Sequence, residues 1–240
     1  MKRSKLVLLP GLDGTGMLFA PLRQALPKDV PAEAVAYPES LARLDDYVEF
    51  AAAAVHGVTD VVLIAESFSG PIAISLLRNP PPNLRAIVLV ATFTTAPRAL
   101  LRHLSALIPS ALIRAFVSPA LTWFCANEKT SPEVIRLACE AVGRVPVKVL
   151  RSRVRLLGEL PADLRAVTND ATVPILILEP TRDRLVPING FVSSENPNVQ
   201  SREIARPHFL LQTCPRECWE EIERFLLTCS FSLEFPASTS

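Results

Sequence analysis

The chain has 240 residues, of which 49% are hydrophobic, and its formal net charge is +1. A chain of this length buries a sizeable core, and so small a net charge gives no indication of a nucleic-acid partner or an anionic membrane. No apolar run is long enough to span a bilayer, so no transmembrane segment is expected.

The five cysteines are scattered along the chain, and no pair has the C-x-x-C spacing of a redox or zinc motif. Reduced thiols in a cytoplasmic protein are the simplest interpretation. Cys214 and Cys218 are four residues apart, but no further histidine or cysteine group completes a metal site. We therefore predict no metal and no cofactor.

Short apolar runs alternate with longer helical patterns over most of the chain. Several of these runs are continuously apolar, as in a parallel sheet that is covered on both faces. The alternation predicts an α/β fold with a doubly wound, mostly parallel, six-stranded sheet and right-handed crossovers. The predicted strands are 5–9, 33–37, 61–65, 86–90, 174–178 and 199–204, and the predicted helices outside the middle of the chain are 17–26, 41–55, 69–78 and 217–228.

A glycine-rich loop, PGLDGTG at 10–16, follows the first strand. Three glycines in six residues allow the backbone to turn inward with free N–H groups. Such a loop could cradle a phosphate, but its glycines do not fit G-x-G-x-x-G and no Gly-Lys-Ser/Thr follows. We expect instead that the Leu12 N–H donates to an oxyanion, with Gly11 and Asp13 beside the substrate.

The third strand runs directly into AESFSG at 65–70, where Ser67 has a small residue two positions before and two after it. This pattern is typical of a nucleophile elbow, a strained strand-to-helix turn that tolerates only small neighbours. Glycine is usual at both positions, which are Ala65 and Ser69 here. The N–H of Phe68, directly after the nucleophile, is the predicted second oxyanion donor.

The interval 94–172 contains no convincing strand and is predicted to be helical, with its helical patterns separated by prolines. A helical insertion between two strands has the size of a cap over a pocket at the C-terminal edge of the sheet. Its apolar residues suggest an acyl pocket, although most of them must also pack the insertion onto the core. The pocket candidates are Leu101, Leu104, Phe116, Trp123 and Phe124.

Charge is uneven across this insertion. Between 98 and 165 there are eleven basic and five acidic residues. An anionic substrate or carrier, such as an acyl carrier protein, would suit these cations, and a solvated helix face is the simpler alternative. The candidate residues for an anionic partner are Arg144, Lys148, Arg151, Arg153 and Arg155.

The last two predicted strands supply partners for Ser67, because a serine nucleophile needs a base and the base needs an orienting carboxylate. Of the three histidines, only His208 follows both the serine and a plausible acid. Asp183 lies on the loop after the strand at 174–178, from which it can reach the histidine loop of the neighbouring strand. Glu179, at the end of that strand, is the rival acid. We predict a triad of serine, aspartate and histidine.

Five features carry a resemblance to a known family: the strand–PGLDGTG loop, the AESFSG turn, the helical insertion, the PTRD loop and the RPHFLL segment. Together they resemble the α/β-hydrolase superfamily over nearly the whole chain. Three loops depart from the usual pattern. Pro10 replaces the histidine of the first loop, Pro180 replaces the glycine of the acid loop, and Arg206-Pro207 replaces the glycines before the histidine. None of these changes removes a catalytic group.

The resemblance implies a minimal, six-stranded member that lacks the first antiparallel hairpin. The PGLDGTG loop is similar to that of an esterase, thioesterase and acyltransferase branch that includes plastid phytyl ester synthases, and the plan resembles pimeloyl-carrier-protein methyl esterases. This implies a serine hydrolase of carboxylic esters or thioesters with an apolar acyl group. An acyltransferase with the same triad and a non-catalytic ligand-binding protein stay open. The predicted domains are a core at 1–93 and 173–229, a cap at 94–172 and a flexible tail at 230–240.

Overall fold

A six-stranded sheet forms the centre of the computed structural model, which describes residues 4–57, 59–95, 125, 130–186 and 195–229. The strands are β1 (Ser4–Leu9), β2 (Ala32–Ala34), β3 (Asp60–Glu66), β4 (Leu84–Val90), β5 (Ile175–Pro180) and β6 (Val199–Ile204). Their order is β2-β1-β3-β4-β5-β6, and every neighbouring pair is parallel. The predicted doubly wound parallel sheet is therefore confirmed.

Helices cover both faces of this sheet. After a 3₁₀ turn at Met17–Phe19 they are α1 (Ala20–Ala25), α2 (Leu44–Val55), α3 (Ser69–Leu76), α4 (Pro132–Gly143), α5 (Val147–Leu157), α6 (Leu164–Asn169), α7 (Leu210–Thr213) and α8 (Pro215–Thr228). In the described part of the chain, no helix has the length and apolarity that crossing a membrane requires.

Two apolar clusters, one on each side of the sheet, follow from the alternation of side chains along the strands. On β3, Val61 and Leu63 belong to the cluster that contains α2 and α3, whereas Val62 and Ile64 belong to the cluster that contains α1 and α8. Because both faces are buried, the strand is continuously apolar, and this is why it could be predicted.

The segment between β4 and β5 contributes to the first of these clusters. Leu156 and Leu157 of α5 and Leu164 of α6 are buried in it together with sheet residues. The helical patterns predicted between 98 and 126 lie outside the described residues except for Cys125, as does the predicted tail at 230–240. The division into core, cap and tail stays a prediction.

The second strand is shorter than predicted. It ends at Ala34, and although the Val35 N–H still donates to the Leu8 carbonyl at 3.1 Å, the Tyr37 N–H donates to the Gly14 carbonyl at 2.8 Å. The chain therefore leaves the sheet for the glycine-rich loop, and the Tyr37 ring is buried in the core.

The start of α3 is packed too closely for any side chain at residue 70. A Cβ built on Gly70 would collide with the side chain of Thr92. We predict that Gly70→Ala lowers the free energy of unfolding by about 1–3 kcal/mol, as overpacking usually does. Urea denaturation of the two proteins measures this difference.

Gly143→Ala is the matched control, since no described atom lies within 4 Å of a Cβ at the end of α4. Because alanine is the better helix former, this change is expected to be neutral or to stabilise by up to about 1 kcal/mol. Equal losses of stability in the two variants would contradict the packing argument.

Candidate active site

Ser67 lies in the turn between β3 and α3 with a φ of 50°. This left-handed region is uncommon for a residue other than glycine. Its N–H donates to the Val90 carbonyl at 2.9 Å, and its carbonyl accepts from the Gly70 N–H at 3.0 Å and from Thr92 Oγ1 at 2.6 Å. Three hydrogen bonds thus fix the backbone of a residue whose conformation is unfavourable.

The side chains of Ser67, His208 and Asp183 form one continuous chain of hydrogen bonds. Ser67 Oγ lies 3.0 Å from His208 Nε2, and His208 Nδ1 lies 2.6 Å from Asp183 Oδ2. The histidine and aspartate side chains are 5% and 1% exposed. The loops that follow β3, β5 and β6 therefore bring together, at the carboxyl edge of the sheet, three residues that are far apart in sequence.

The Asp183 carboxylate is oriented by the loop that carries it. Its second oxygen, Oδ1, accepts the backbone N–H groups of Leu185 and Val186 at 2.7 and 2.9 Å. The rival acid, Glu179, instead accepts a hydrogen bond from Ser201 Oγ at 2.8 Å on the neighbouring strand. Of the two candidate acids, Asp183 is the one that contacts the histidine.

The glycine-rich loop approaches Ser67 closely. A Cβ built on Gly11 would lie 3.9 Å from the Ser67 Cβ and 3.7 Å from Asp13 Oδ1. The other oxygen of Asp13, Oδ2, accepts the N–H of Thr15 at 2.9 Å and its hydroxyl at 2.5 Å. One oxygen of this carboxylate therefore stabilises the loop, while the other lies near Gly11.

The carbonyl groups of residues 10–14 all accept hydrogen bonds. The donors are the Ser69 hydroxyl to Pro10, the Gly14 N–H to Gly11 at 3.0 Å, Arg153 Nη1 to Leu12 and Asp13 at 3.1 and 2.6 Å, and the Tyr37 N–H to Gly14 at 2.8 Å. Within the described ranges, by contrast, the N–H groups of Leu12 and Phe68 have no hydrogen-bond acceptor. Hydrogen bonds to its carbonyl groups therefore fix the loop, while the N–H groups of Leu12 and Phe68 stay available as donors.

Two carboxyl groups set the electrostatic environment of His208. Burial alone would lower the pKa of His208, but the charge and hydrogen bond of Asp183, together with the charge of Glu66, raise it above its usual value. Burial in turn raises the pKa of Glu66 to about 7, against the opposing effect of a hydrogen bond from Gln212. Glu66 therefore titrates near neutrality directly before the serine.

Glu66 and Gln212 form a buried pair that sequence reasoning missed. Gln212 Nε2 donates to Glu66 Oε1 at 2.8 Å and to the Leu18 carbonyl at 3.2 Å, whereas Glu66 Oε2 and Gln212 Oε1 have no partner in the described chain. The signal was a carboxylate at the end of a fully apolar strand, where a buried charge is costly unless it is paired or protonated.

One candidate for the anionic-partner surface was wrong. Arg153 is 1% exposed and lies against the glycine-rich loop, so it cannot belong to a surface that meets a partner. The periodicity of α5 explains this position, because Val149 and Leu157 lie four residues before and after Arg153 on the buried face. The other four candidates, Arg144, Lys148, Arg151 and Arg155, are exposed.

The other predicted substrate-binding and oxyanion residues lie partly within the described chain. Gly11 lies next to Ser67 and Asp13 lies next to Gly11, and Phe68 packs its ring edge-on against Tyr47 with centroids 5.3 Å apart. No group of three metal-ligating side chains occurs among the residues that could be described. The predicted pocket residues Leu101, Leu104, Phe116, Trp123 and Phe124 lie outside the described part of the chain.

A parallel sheet in this order, with a serine in the turn after one strand and a histidine after the last, defines the α/β-hydrolase type of fold. The family model for the alpha/beta hydrolase family matches residues 6–221, and the chain belongs to this family. The resemblance predicted from the motifs is therefore confirmed. A comparison with curated proteins finds no match.

Solved structures of the same fold align over nearly the whole chain. The enol-lactonase from Burkholderia xenovorans LB400 has a TM-score of 0.77 at 14% identity, over 95% of this chain and 92% of that chain. The esterase RhEst1 from Rhodococcus sp. ECU1013 has a TM-score of 0.76 at 19% identity, over 95% and 92%. Carboxylesterase CesB from Bacillus subtilis has a TM-score of 0.68 at 15% identity, over 93% and 83%. Such identities establish the fold and leave the substrate open.

We predict that Glu66→Gln lowers the pKa of His208. The substitution keeps the size of the side chain but removes a carboxylate that stabilises the imidazolium form, so protonation of His208 should require a lower pH. An NMR titration of the histidine Cε1–H signals measures this, with a His208 variant for assignment among the three histidines.

Glu179→Gln serves as the control for this titration. It removes another carboxylate at the end of a strand, but one that contacts Ser201 rather than the site. The pKa of His208 should stay at its wild-type value in this variant. An unchanged or higher pKa in Glu66→Gln would show that Glu66 does not act on the imidazolium.

Proposed function

We propose that this protein is a serine hydrolase that cleaves carboxylic esters or thioesters through an acyl-enzyme intermediate. The observation that carries the proposal is the hydrogen-bond chain from Ser67 Oγ through His208 to Asp183. In this chain the histidine can accept the serine proton, and the aspartate can hold the imidazole in the required tautomer and stabilise its charged form. Family membership supports this function, since such triads are common on this fold.

In the acylation step, Ser67 Oγ attacks the carbonyl carbon of the ester and its proton moves to His208 Nε2. The new Oγ–C bond forms as the electron pair of the C=O bond moves onto the oxygen. The tetrahedral intermediate then collapses: the C=O bond forms again, the C–O or C–S bond to the leaving group breaks, and the leaving alcohol or thiol takes the proton from His208. Water repeats the sequence on the acyl-enzyme, giving the carboxylic acid and restoring the free serine.

The negative oxygen of this intermediate needs donors that are already in place. We assign this role to the N–H groups of Leu12 and Phe68. Two observations support the assignment: neither N–H has an acceptor within the described residues, and Gly11, next to Leu12, lies beside Ser67. The turn between β3 and α3, with its positive φ, then acts as the nucleophile elbow.

The substrate is proposed to carry an apolar acyl group beneath a helical cap formed by residues 94–172. The hydrophobic composition of this segment supports an acyl pocket, with Leu101, Leu104, Phe116, Trp123 and Phe124 as the candidate lining. Turnover of p-nitrophenyl esters from acetate to decanoate would size this pocket, and the optimum is expected at a medium or long chain.

We predict that Ser67→Ala lowers kcat on the preferred p-nitrophenyl ester by at least about a thousandfold, because no acyl-enzyme can form. Asp183→Asn should lower kcat by about 10³–10⁴-fold, since the amide favours the wrong tautomer of His208. Stopped-flow bursts and steady-state rates measure both effects. A fluorophosphonate probe should label the wild type at Ser67 and fail to label Ser67→Ala.

Ser75→Ala is the matched control. Ser75 is a buried serine on α3 whose hydroxyl has no partner in the described chain, so its removal should leave turnover unchanged. Labelling without hydrolysis would favour acyl transfer to an alcohol instead of water. Absence of both labelling and turnover in the wild type would contradict a catalytic function.

The exposed cations of α5 lead to a second prediction, for a carrier-bound substrate. Lys148, Arg151 and Arg155 share one face of the helix at spacings of three and four residues, although Arg155 also lies 3.5 Å from Glu159. If this face meets an acyl carrier protein, Arg151→Glu with Arg155→Glu should slow turnover of a carrier-bound ester at low salt and spare the p-nitrophenyl ester. Equal turnover of the carrier-bound ester by both proteins would exclude that role.

A further inference from the structure

Among the described residues that are fully buried, Arg153 has the largest side chain, and the proposed reaction gives it no role so far. Within the described residues, no carboxylate lies within ion-pair distance of it. A buried cation without a carboxylate is unusual, because the cost of removing the charge from water must be met by other contacts. The contacts that offset this desolvation cost indicate what Arg153 does.

Among the described residues, the hydrogen bonds of the Arg153 side chain lead to two places, the glycine-rich loop and Tyr47. Nη1 donates to the carbonyls of Leu12 and Asp13 at 3.1 and 2.6 Å, and Nε donates to the Tyr47 hydroxyl at 3.1 Å. The guanidinium carbon also lies 5.8 Å from the centroid of the Tyr37 ring, within the range of a cation–π contact. The guanidinium of Arg153 therefore contacts the glycine-rich loop beside Ser67 and the side chains of Tyr47 and Tyr37.

The loop is shaped to receive this guanidinium. Gly14 has a φ of +67°, and a Cβ built on it would collide with the guanidinium of Arg153. The Gly14 N–H donates to the Gly11 carbonyl at 3.0 Å, which fixes the peptide plane between Gly11 and Leu12. Since this plane carries the Leu12 N–H, the turn and the arginine together determine where that N–H points.

We propose that Arg153 is a positioning residue that holds the Leu12 N–H in the geometry needed to stabilise the oxyanion. This inference rests on the proposed function and extends it to a residue of α5, far from the triad in sequence. Arg153 acts through the loop and does not itself contact the reacting atoms. It fixes two carbonyls of the turn, so that the donor is in place before the substrate binds.

The proposal predicts different effects on kcat and on KM. The tetrahedral intermediate carries the negative oxygen and the bound ester does not, so a loosened donor weakens binding of the intermediate and not of the ester. Replacing Arg153 should therefore lower kcat and leave KM nearly unchanged. A purely structural role would instead reduce the fraction of active protein and leave the kcat of that fraction as in the wild type.

The experiment compares Arg153→Met, Arg153→Lys and wild type on the preferred p-nitrophenyl ester, with active sites counted by the burst. We expect Arg153→Met to lose roughly ten- to a hundredfold in kcat, less than or near the loss of a full oxyanion donor. Arg153→Lys should be intermediate, because an ammonium keeps the charge but cannot bond the turn and Tyr47 in the same way. Arg136→Met, an exposed arginine of α4 beside Glu133, is the control and should match the wild type.

Phenylboronic acid gives a second readout of the same donor. The Ser67 oxygen forms a bond to boron as its proton moves to His208, and the product is a tetrahedral, anionic boronate that resembles the intermediate. Its affinity should fall in Arg153→Met by about the same factor as kcat/KM. A kcat within twofold of wild type, or an unchanged boronate affinity, would overturn the proposal.

Tyr47→Phe keeps the proposal testable if Arg153→Met does not fold. It removes only the hydroxyl, which accepts from Arg153 Nε and also donates to the Leu41 carbonyl at 3.2 Å, and kcat should fall several-fold at constant KM. No loss of kcat would overturn the proposal. Wild-type protein that neither turns over esters nor binds the boronate would overturn the proposed function, and this inference with it. Active wild type beside an equally active Arg153→Met overturns the inference alone.

Discussion

The positive φ of Ser67 is the constraint on which the rest of the site depends. A residue with a side chain pays about 1–3 kcal/mol to adopt such a conformation, and it persists only where the surroundings determine it. Here the Thr92 hydroxyl and the Gly70 N–H bond its carbonyl, while the end of β4 bonds its N–H. Gly70 is required because a side chain there would occupy the place of Thr92.

The same turn is tied to the glycine-rich loop. Ser69 replaces the usual glycine two residues after Ser67, and its buried hydroxyl contacts both the Pro10 carbonyl and the Tyr37 hydroxyl, which lies 2.6 Å away. Arg153 then binds the next two free carbonyls of that loop. A departure from the usual motif thus adds a polar contact that fixes the loop relative to the serine.

Much of this arrangement could be predicted from the sequence, for identifiable reasons. Strands buried on both faces give continuous apolar runs, so β1, β3, β4 and β5 could be predicted to within two residues at each end. The mostly exposed edge strand β6 has no such run, although its predicted and observed bounds agree. β2 is shorter than predicted because the Tyr37 N–H donates to the Gly14 carbonyl of the glycine-rich loop and not to the sheet. The chemical order of serine, acid and base singled out three residues that prove to be hydrogen-bonded. The prediction of an exposed Arg153 is wrong because charge alone favours the surface, although a spacing of four residues from two apolar neighbours marks the buried face of the helix. The partners of Glu66 and Thr92 come from other elements and have no local signal.

In the proposed reaction, the buried charges near Ser67 all favour the charge separation of the tetrahedral intermediate. The tetrahedral intermediate is an ion pair, with a positive imidazolium at His208 and a negative oxygen near Leu12. Asp183 and, when ionised, Glu66 lie on the imidazolium side and raise the pKa of His208, whereas Arg153 lies behind the loop on the side of the oxygen. In an interior of low effective dielectric, such fixed charges act on developing charge more strongly than water does and need no reorganisation. Replacing these groups with apolar ones could stabilise the fold, as it does for some buried ion pairs, and would remove the field that matches the intermediate. The proposed reaction therefore explains why buried charged groups, despite their desolvation cost, lie at this edge of the sheet, where charge is separated.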